Sequence, residues 1–318
     1  MPLSDDWEHE AGNWIEWARA PAHDSYWRFH RDQFLMLVPQ PGKLTVDIGC
    51  GEGRLSRDLR RYGHRVIGID SSPTLIDAAR RADPKGDYRC VGAAALPLET
   101  ASCDLVIAFM SLQDVDELTT TLSEMSRVLI RGGTACIALV HPLNSAGRFE
   151  SKSADSRFVI GESYLDEFDY TDDIVLNDLR MVFHSRHRPL ETYSRALEDA
   201  GFVIDAIREH RMPEEGFRDE GSRRWRRIPL FLHLRARKLS VFRPRMSARV
   251  AFSWRCPKGH NVDDALPKAD LKNQLAAGRL TARCPHCGGQ EYTIPAEQRE
   301  RILKTLSTQR HAPRESQD

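Results

Sequence analysis

At 318 residues the chain has room for one large domain and a small one, or two of middling size. Its 41% apolar and 29% charged residues are ordinary for a globular protein, and a formal charge of zero excludes a global field drawing it to nucleic acid or lipid. The polar, acidic start (Met1 to Glu10) has no basic flank or apolar stretch, and no apolar run reaches the length of a membrane span, so a cytoplasmic protein is expected.

Two aromatic-rich helices are expected first, Ala11 to Ala20 and Tyr26 to Val38. From residue 44 to about 140, β-branched runs alternate with helical stretches. Strands are predicted at Leu44 to Ile48, Arg65 to Ile69, Tyr88 to Val91, Cys103 to Phe109 and Thr134 to Val140. Helices are predicted at Arg54 to Tyr62, Pro73 to Arg81 and Asp114 to Leu129. Ser72 is placed as N-cap with Pro73 at the first helical position, and Arg131-Gly132-Gly133 closes the Asp114 helix. Beyond Pro142 the pattern is irregular until a helix from Pro189 to Ala200. Strands at Phe202 to Ile207 and Ile228 to Arg237 then complete a sheet with a final hairpin. Strands separated by helices of this length imply a doubly wound, mostly parallel α/β sheet of seven strands. Composition shifts near residue 240, which sets domains of 1–240 and 241–318, the second ending in a polar tail. Twelve Arg and Lys and no acidic residue occupy the stretch from Gly221 to Val262.

The strand ending Asp47-Ile48 runs into Gly49-x-Gly51-x-Gly53 and then a helix. Glycines there let the backbone turn sharply and approach a ligand closely. Asp70, 21 residues after Gly49 at the end of the second strand, can accept hydrogen bonds from two ribose hydroxyls. A dinucleotide loop wants its third glycine at position 54, where this chain has Arg54. Asp47 beside the loop suits a ligand with an ammonium and a sulfonium better than a pyrophosphate.

The string VDIGCGEG (46–53) resembles the first motif of class I S-adenosylmethionine-dependent methyltransferases. GIDSSPTLI (68–76) resembles their second, ALPLETASCDLVIAFMSLQDV (95–115) their fourth-strand region and RVLIRGGTACIALVHP (127–142) their fifth strand. The nearest branch looks like small-molecule enzymes similar to those of quinone biosynthesis. The resemblance stops near residue 240. It implies a Rossmann-like methyltransferase fold in which Asp47, Gly49 and Gly51 surround the methionine end of the cofactor. Asp70 would hold the ribose, Ser71 would lie near the adenine, Ala93 and Ala94 would face the ring, and Met110 would lie over the cofactor. Residues 1–40 would form a helical lid, with Trp14, Trp17, Tyr26 and Trp27 packing it or stacking on the acceptor. The family often has an Asp near position 92, where this chain offers Gly92-Ala93-Ala94.

Methyl transfer from a sulfonium is an in-line displacement and needs a base only when the acceptor holds a proton to lose. His141, directly after the fifth strand, is the candidate catalytic base or a loop residue; His187 faces the acceptor or merely starts a helix, and His184 lies nearby. No Asn-Pro-Pro-Tyr segment and no Pro-Cys nucleophile is present, which excludes two nucleic-acid chemistries. Near the end of the chain, Cys256 and His260, then Cys284 and Cys287 followed by Gly288-Gly289, have the spacing of a structural zinc ribbon. His286 is an alternative ligand, and unrelated thiols or a redox pair are the competing readings. A small-molecule methyltransferase is the leading expectation. RNA or protein held by Arg223 to Lys258 and the ribbon is the second, and a cofactor-binding protein without turnover the third.

Overall fold

The computed structural model describes residues 2–161, 163–239, 249–267, 271, 274–275, 278, 280–287 and 290–308. The chain divides into two compact units, Met1–Arg243 and Pro244–Asp318. The expected boundary near residue 240, Gly288-Gly289 and the polar tail from residue 309 lie outside the described residues.

In unit 1, α1 (Leu3–Arg19) leads into a π-helical turn over Tyr26–His30 and the short α2 (Arg31–Leu35). Strands and helices then alternate as β1 (Thr45–Ile48), α3 (Arg54–Arg61), β2 (Val66–Asp70), α4 (Pro73–Ala82), β3 (Asp87–Cys90) and β4 (Cys103–Phe109). A 3-10 turn at Leu112–Asp114, α5 (Leu118–Val128), β5 (Leu129–Val140) and α6 (Pro142–Ser145) follow. Two hairpins come next, β6 (Gly147–Phe149) with β7 (Phe158–Ile160) and β8 (Phe168–Leu176) with β9 (Leu179–His187). Helix α7 (Leu190–Asp199), β10 (Phe202–Arg208), 3-10 turns at Glu214–Gly216 and Glu220–Arg226, and β11 (Phe231–Lys238) close the unit.

Seven of these strands form one mixed sheet in the order β10-β11-β5-β4-β1-β2-β3. The pairings from β3 through β5 are parallel, and β11 runs antiparallel to both of its neighbours. The central strands are apolar on both sides because helices cover both faces, so β1 is buried along its whole length. One face packs Val46, Ile48, Ile69, Val106, Ala108 and Ile137 under α5 and α7; the other packs Leu105, Ile107 and Cys136 against Tyr26, Phe34, Leu55 and Leu59. Ser72 Oγ accepts from the Leu75 amide at 3.1 Å, so α4 is capped as its sequence predicts. The strand order reverses between the parallel β1 and β4, which puts the loops at their carboxyl ends on one edge of the sheet, where ligands bind in such folds.

Several boundaries differ from the sequence reading. The helix expected from Asp114 is split into a 3-10 turn and α5. Arg131-Gly132-Gly133 lies inside β5, where Gly132 has φ of 74° and the pairing with β4 shifts register. The segment after Pro142, expected to be irregular, holds the two hairpins. The β8–β9 turn is made by Asn177 and Asp178, with φ of 50° and 64°, a conformation that suits a two-residue hairpin. Its alternation escaped notice because Tyr170 and Asp172 lie on the same face as Ile174, toward a cavity rather than a dry core.

Unit 2 has two antiparallel pairs, β12 (Arg249–Arg255) with β13 (Asn261–Pro267) and β14 (Thr281–Cys284) with β15 (Gln290–Thr293), followed by α8 (Ala296–Thr308). Phe252, Trp254 and Cys256 alternate inward along β12 onto Val262, Leu271, Leu280 and Ile294. Among the described residues, no helix is long and apolar enough to cross a membrane.

Candidate functional site

A cavity of about 970 Å³ opens in unit 1 above the carboxyl ends of β1, β2 and β4. Its floor is the glycine loop. Gly49, Gly51 and Gly53 all have left-handed backbones, with φ of 67°, 57° and 83°. A Cβ on Gly49 would stand 2.3 Å from the Cβ of Ser111, so no side chain fits there. Ser111 ties the loop to β4 by donating its hydroxyl to the Ile48 carbonyl at 2.7 Å. The Gly51 amide donates to Asp70 Oδ2 at 2.8 Å, and the Ser72 amide donates to Asp70 Oδ1 at 2.9 Å. Each Asp70 oxygen keeps lone pairs free for further donors.

Of the two carboxylates on this floor, Asp47 is buried and Asp70 half-buried. Burial pushes Asp47 up to about 7, against the pull of the Ser56 hydroxyl donated at 2.6 Å and with help from the charge of Asp70. Burial likewise raises Asp70, opposed by the amides of Ser72 and Gly51. Ser71, Gly92, Ala93, Ala94 and Met110 line the same cavity. Met110 holds φ of 57°, a left-handed conformation unusual for a side chain of its size and typical of functional turns. The structure thus gathers Asp47, Gly49, Gly51, Asp70, Ser71, Ala93, Ala94 and Met110 around one space.

Helix α1 forms one wall. Glu8 accepts from the hydroxyls of Ser72 and Thr74, which fastens the helix to the start of α4. Trp7, Trp14 and Trp17 cluster edge-on around Phe183 of β9 at 5.8 to 6.3 Å. The Trp14 Nε1 lies beside Gly51, where an added Cβ would meet it at 3.1 Å. The Arg54 guanidinium lies over both Trp14 and Tyr26, at 4.7 and 4.2 Å from their ring centres, and pairs with Asp24 at 2.7 Å.

The three histidines singled out in the sequence, His141, His184 and His187, do not line the cavity. His141 is not among the residues lining the cavity: its Nδ1 accepts from the Leu143 amide at 3.0 Å and its Nε2 meets Glu209 at 2.8 Å, so it caps α6. Burial lowers its pKa, with Glu209 pulling the other way. His187 is fully buried between the Ser145 hydroxyl, 2.7 Å, and the Tyr164 carbonyl, 3.0 Å. His184 stands 3.9 Å from Asp6. Sequence reasoning missed His30, which lines the cavity at the end of the π-helical turn. It stacks on Phe231 at 3.7 Å and shares a 2.9 Å Nε2–Nε2 hydrogen bond with His233. Burial first, then the neighbouring His233 and Arg54, hold His30 well below the usual imidazole range. A long-range pair of this kind leaves no local signal in sequence.

In unit 2 the Cys256, Cys284 and Cys287 sulfurs and the His260 Nδ1 all lie within 4.8 Å of one another. Nδ1 of His260 is 3.4, 3.8 and 3.4 Å from the sulfurs of Cys256, Cys284 and Cys287, and the Cys256 and Cys287 sulfurs are 3.8 Å apart. A tetrahedral zinc with bonds of about 2.3 Å to sulfur and 2.0 Å to nitrogen requires ligand separations of roughly 3.5 to 3.8 Å. His286 is outside this group, its ring 5.4 Å from that of His260.

The basic stretch from Arg223 is largely engaged where it is described. Arg235 and Arg237 share Asp205, Arg223 pairs with Glu220, Arg226 with Glu214, and Lys238 donates to the carbonyls of Ser126 and Leu129. Residues 240–248 lie outside the described part.

Residues 46–137 match the family model described as "Methyltransferase domain". A malonyl-[acyl-carrier protein] O-methyltransferase of Serratia marcescens is 29% identical over 157 residues, covering 49% of this chain and 58% of that protein. A ubiquinone biosynthesis O-methyltransferase of Methylocella silvestris is 42% identical over 91 residues, 27% of this chain and 34% of the other. The chain spans only about half the length of such relatives. An S-adenosylmethionine-dependent methyltransferase structure from Mesorhizobium loti superposes with a TM-score of 0.56 at 24% identity, over 67% of this chain and 98% of that one, which establishes the fold. Residues 46–137 therefore match a methyltransferase domain, and the strand order around them is that of the Rossmann-like methyltransferase fold.

Proposed function

We propose that the protein is an enzyme that binds S-adenosylmethionine in the unit 1 cavity and methylates a small molecule there. The observation that carries this reading is the triple left-handed glycine floor with Asp70 fixed above it by two backbone amides. The residues fit the cofactor: left-handed Gly49 and Gly51 carry no Cβ where one would clash or crowd, and the buried Asp47 and half-buried Asp70 suit a cationic ligand. Gly49, Gly51 and Asp47 would hold the methionine end, Asp70 the ribose, and Ser71, Ala93, Ala94 and Met110 the adenine and its cover. When bound, the sulfonium supplies an activated methyl group with a neutral leaving group.

What remains for the chain is to align the acceptor and exclude water. The tryptophans of α1 and Phe183 shield the cavity from one side. Where the acceptor arrives with a proton to lose, His30 is better placed than His141: it lines the cavity, burial keeps it neutral, and His233 backs it. Calorimetry with S-adenosylmethionine tests the reading directly; absence of binding by the purified chain sinks it.

For unit 2 we infer a structural zinc ion held by Cys256, His260, Cys284 and Cys287, supported by the separations above. Four protein ligands leave no open position for chemistry. The other four cysteines, Cys50, Cys90, Cys103 and Cys136, are in no disulfide, which supports a reducing compartment such as the cytoplasm.

A further inference from the structure

The cavity's charge is uneven, and one end has too little negative charge to balance it. Arg28, on the π-helical turn, and Arg218, between the two 3-10 turns that precede β11, both line the cavity. Neither is paired with a carboxylate among the described residues. Arg28 donates instead to the Gly216 carbonyl, and Arg218 to the His23 carbonyl at 2.6 Å. Asp24, whose charge acts on both, pairs through Oδ2 with Arg54 at 2.7 Å and makes no hydrogen bond to either. Arg224 adds a third guanidinium, donating to the carbonyls of Lys152 and Gly221, while its buried Nε has no partner. Asp219, the other acid here, accepts from the Ser222 amide and hydroxyl, and together with Asp24 it offsets the lowering of the Arg218 pKa by burial only in part.

Guanidiniums partly withdrawn from water without counter-ions cost free energy, and an incoming anion recovers it through charge-assisted, often bidentate hydrogen bonds. Burial first and then the charge of Arg218 lower the Arg28 pKa, and Asp24 offsets them only in part. We infer that this end of the cavity is a subsite for an anionic group, a carboxylate or a phosphate, carried by the methyl acceptor. The inference rests on the proposed reading of the cavity as a methyltransferase site. The anion serves as a handle, so the acceptor lies between an acidic floor that takes the cationic cofactor and a basic wall that takes its own charge.

The test titrates the full chain, with and without S-adenosylhomocysteine, with inorganic phosphate, with malonate and with neutral malonamide. Saturable binding of phosphate or malonate is expected, with none of malonamide, and whichever anion binds identifies the headgroup. Arg28→Gln and Arg218→Gln should each weaken it at least tenfold, and Arg28→Lys by less. Unchanged binding of S-adenosylhomocysteine by these variants shows that they fold. A second measurement uses the wild type alone: the bound anion should slow phenylglyoxal modification of Arg28 and Arg218. The proposal falls if neither anion binds, or if binding survives both Gln substitutions. Should S-adenosylhomocysteine fail to bind the wild type while the anion does and the Gln variants lose it, the subsite stands and the cofactor reading falls.

Discussion

The two units build their sites by opposite means. In unit 1 the ligand space is shaped by backbone: three left-handed glycines, amides aimed at Asp70, and a seven-stranded sheet that fixes them all. In unit 2 four side chains converge on a point, and the sheets that carry them are two-stranded pairs over a small core. A large core can hold an empty cavity open, whereas a small one leans on the group it encloses.

That contrast breaks most visibly under metal removal. Cys284→Ser, or a strong chelator, should take bound zinc from one ion per chain to none and unfold unit 2, since structural zinc contributes on the order of 10 kcal/mol to folding. Elemental analysis and the loss of a separate thermal transition check this; protein purified without chelator that carries no metal would defeat it. Next comes Gly49→Val, which combines a forbidden φ with a clash against Ser111 and should cost roughly 2–5 kcal/mol while abolishing cofactor binding. Chemical denaturation and calorimetry read both effects. Asp70→Ala should weaken S-adenosylmethionine at least about 100-fold, as expected for losing two hydrogen bonds to a charged acceptor, and leave the zinc of unit 2 in place. Retention of full affinity would remove Asp70 from the site.

The smallest effect is one of pH. Asp47 sits near 7 in the fold, above its ordinary 3.8, so its contribution to stability is complete below about pH 4 and is lost as pH rises through 7. A cationic ligand prefers the ionised form. Affinity should therefore rise about tenfold from pH 6 to pH 8, with net proton release near pH 7, and Asp47→Asn should flatten the profile. A flat profile in the wild type would place the sulfonium elsewhere.

What could be read from sequence follows from the same contrast. Both sites announce themselves locally, through glycines at fixed spacing and through Cys and His pairs, because the chemistry needs those residues near one another in the chain. The parallel sheet was legible from apolar runs such as Val66 to Ile69, which are buried on both faces. The hairpin of β8 and β9 was not, because its inward face is wet and carries Tyr170 and Asp172. His30 with His233, and Arg28 with Arg218, were also hidden. Each pair is separated by about two hundred residues and is brought together only by packing.

The tryptophan cluster has a practical consequence. Trp7 and Trp14 stand perpendicular with ring centres 5.8 Å apart, and Trp14 touches both Gly51 and the Arg54 guanidinium. Any molecule that settles on the loop must alter the surroundings of an indole that already sits on its rim. The protein thus carries its own optical reporter: emission at the tryptophan band, followed in a stopped-flow instrument, times the arrival of a ligand without any label.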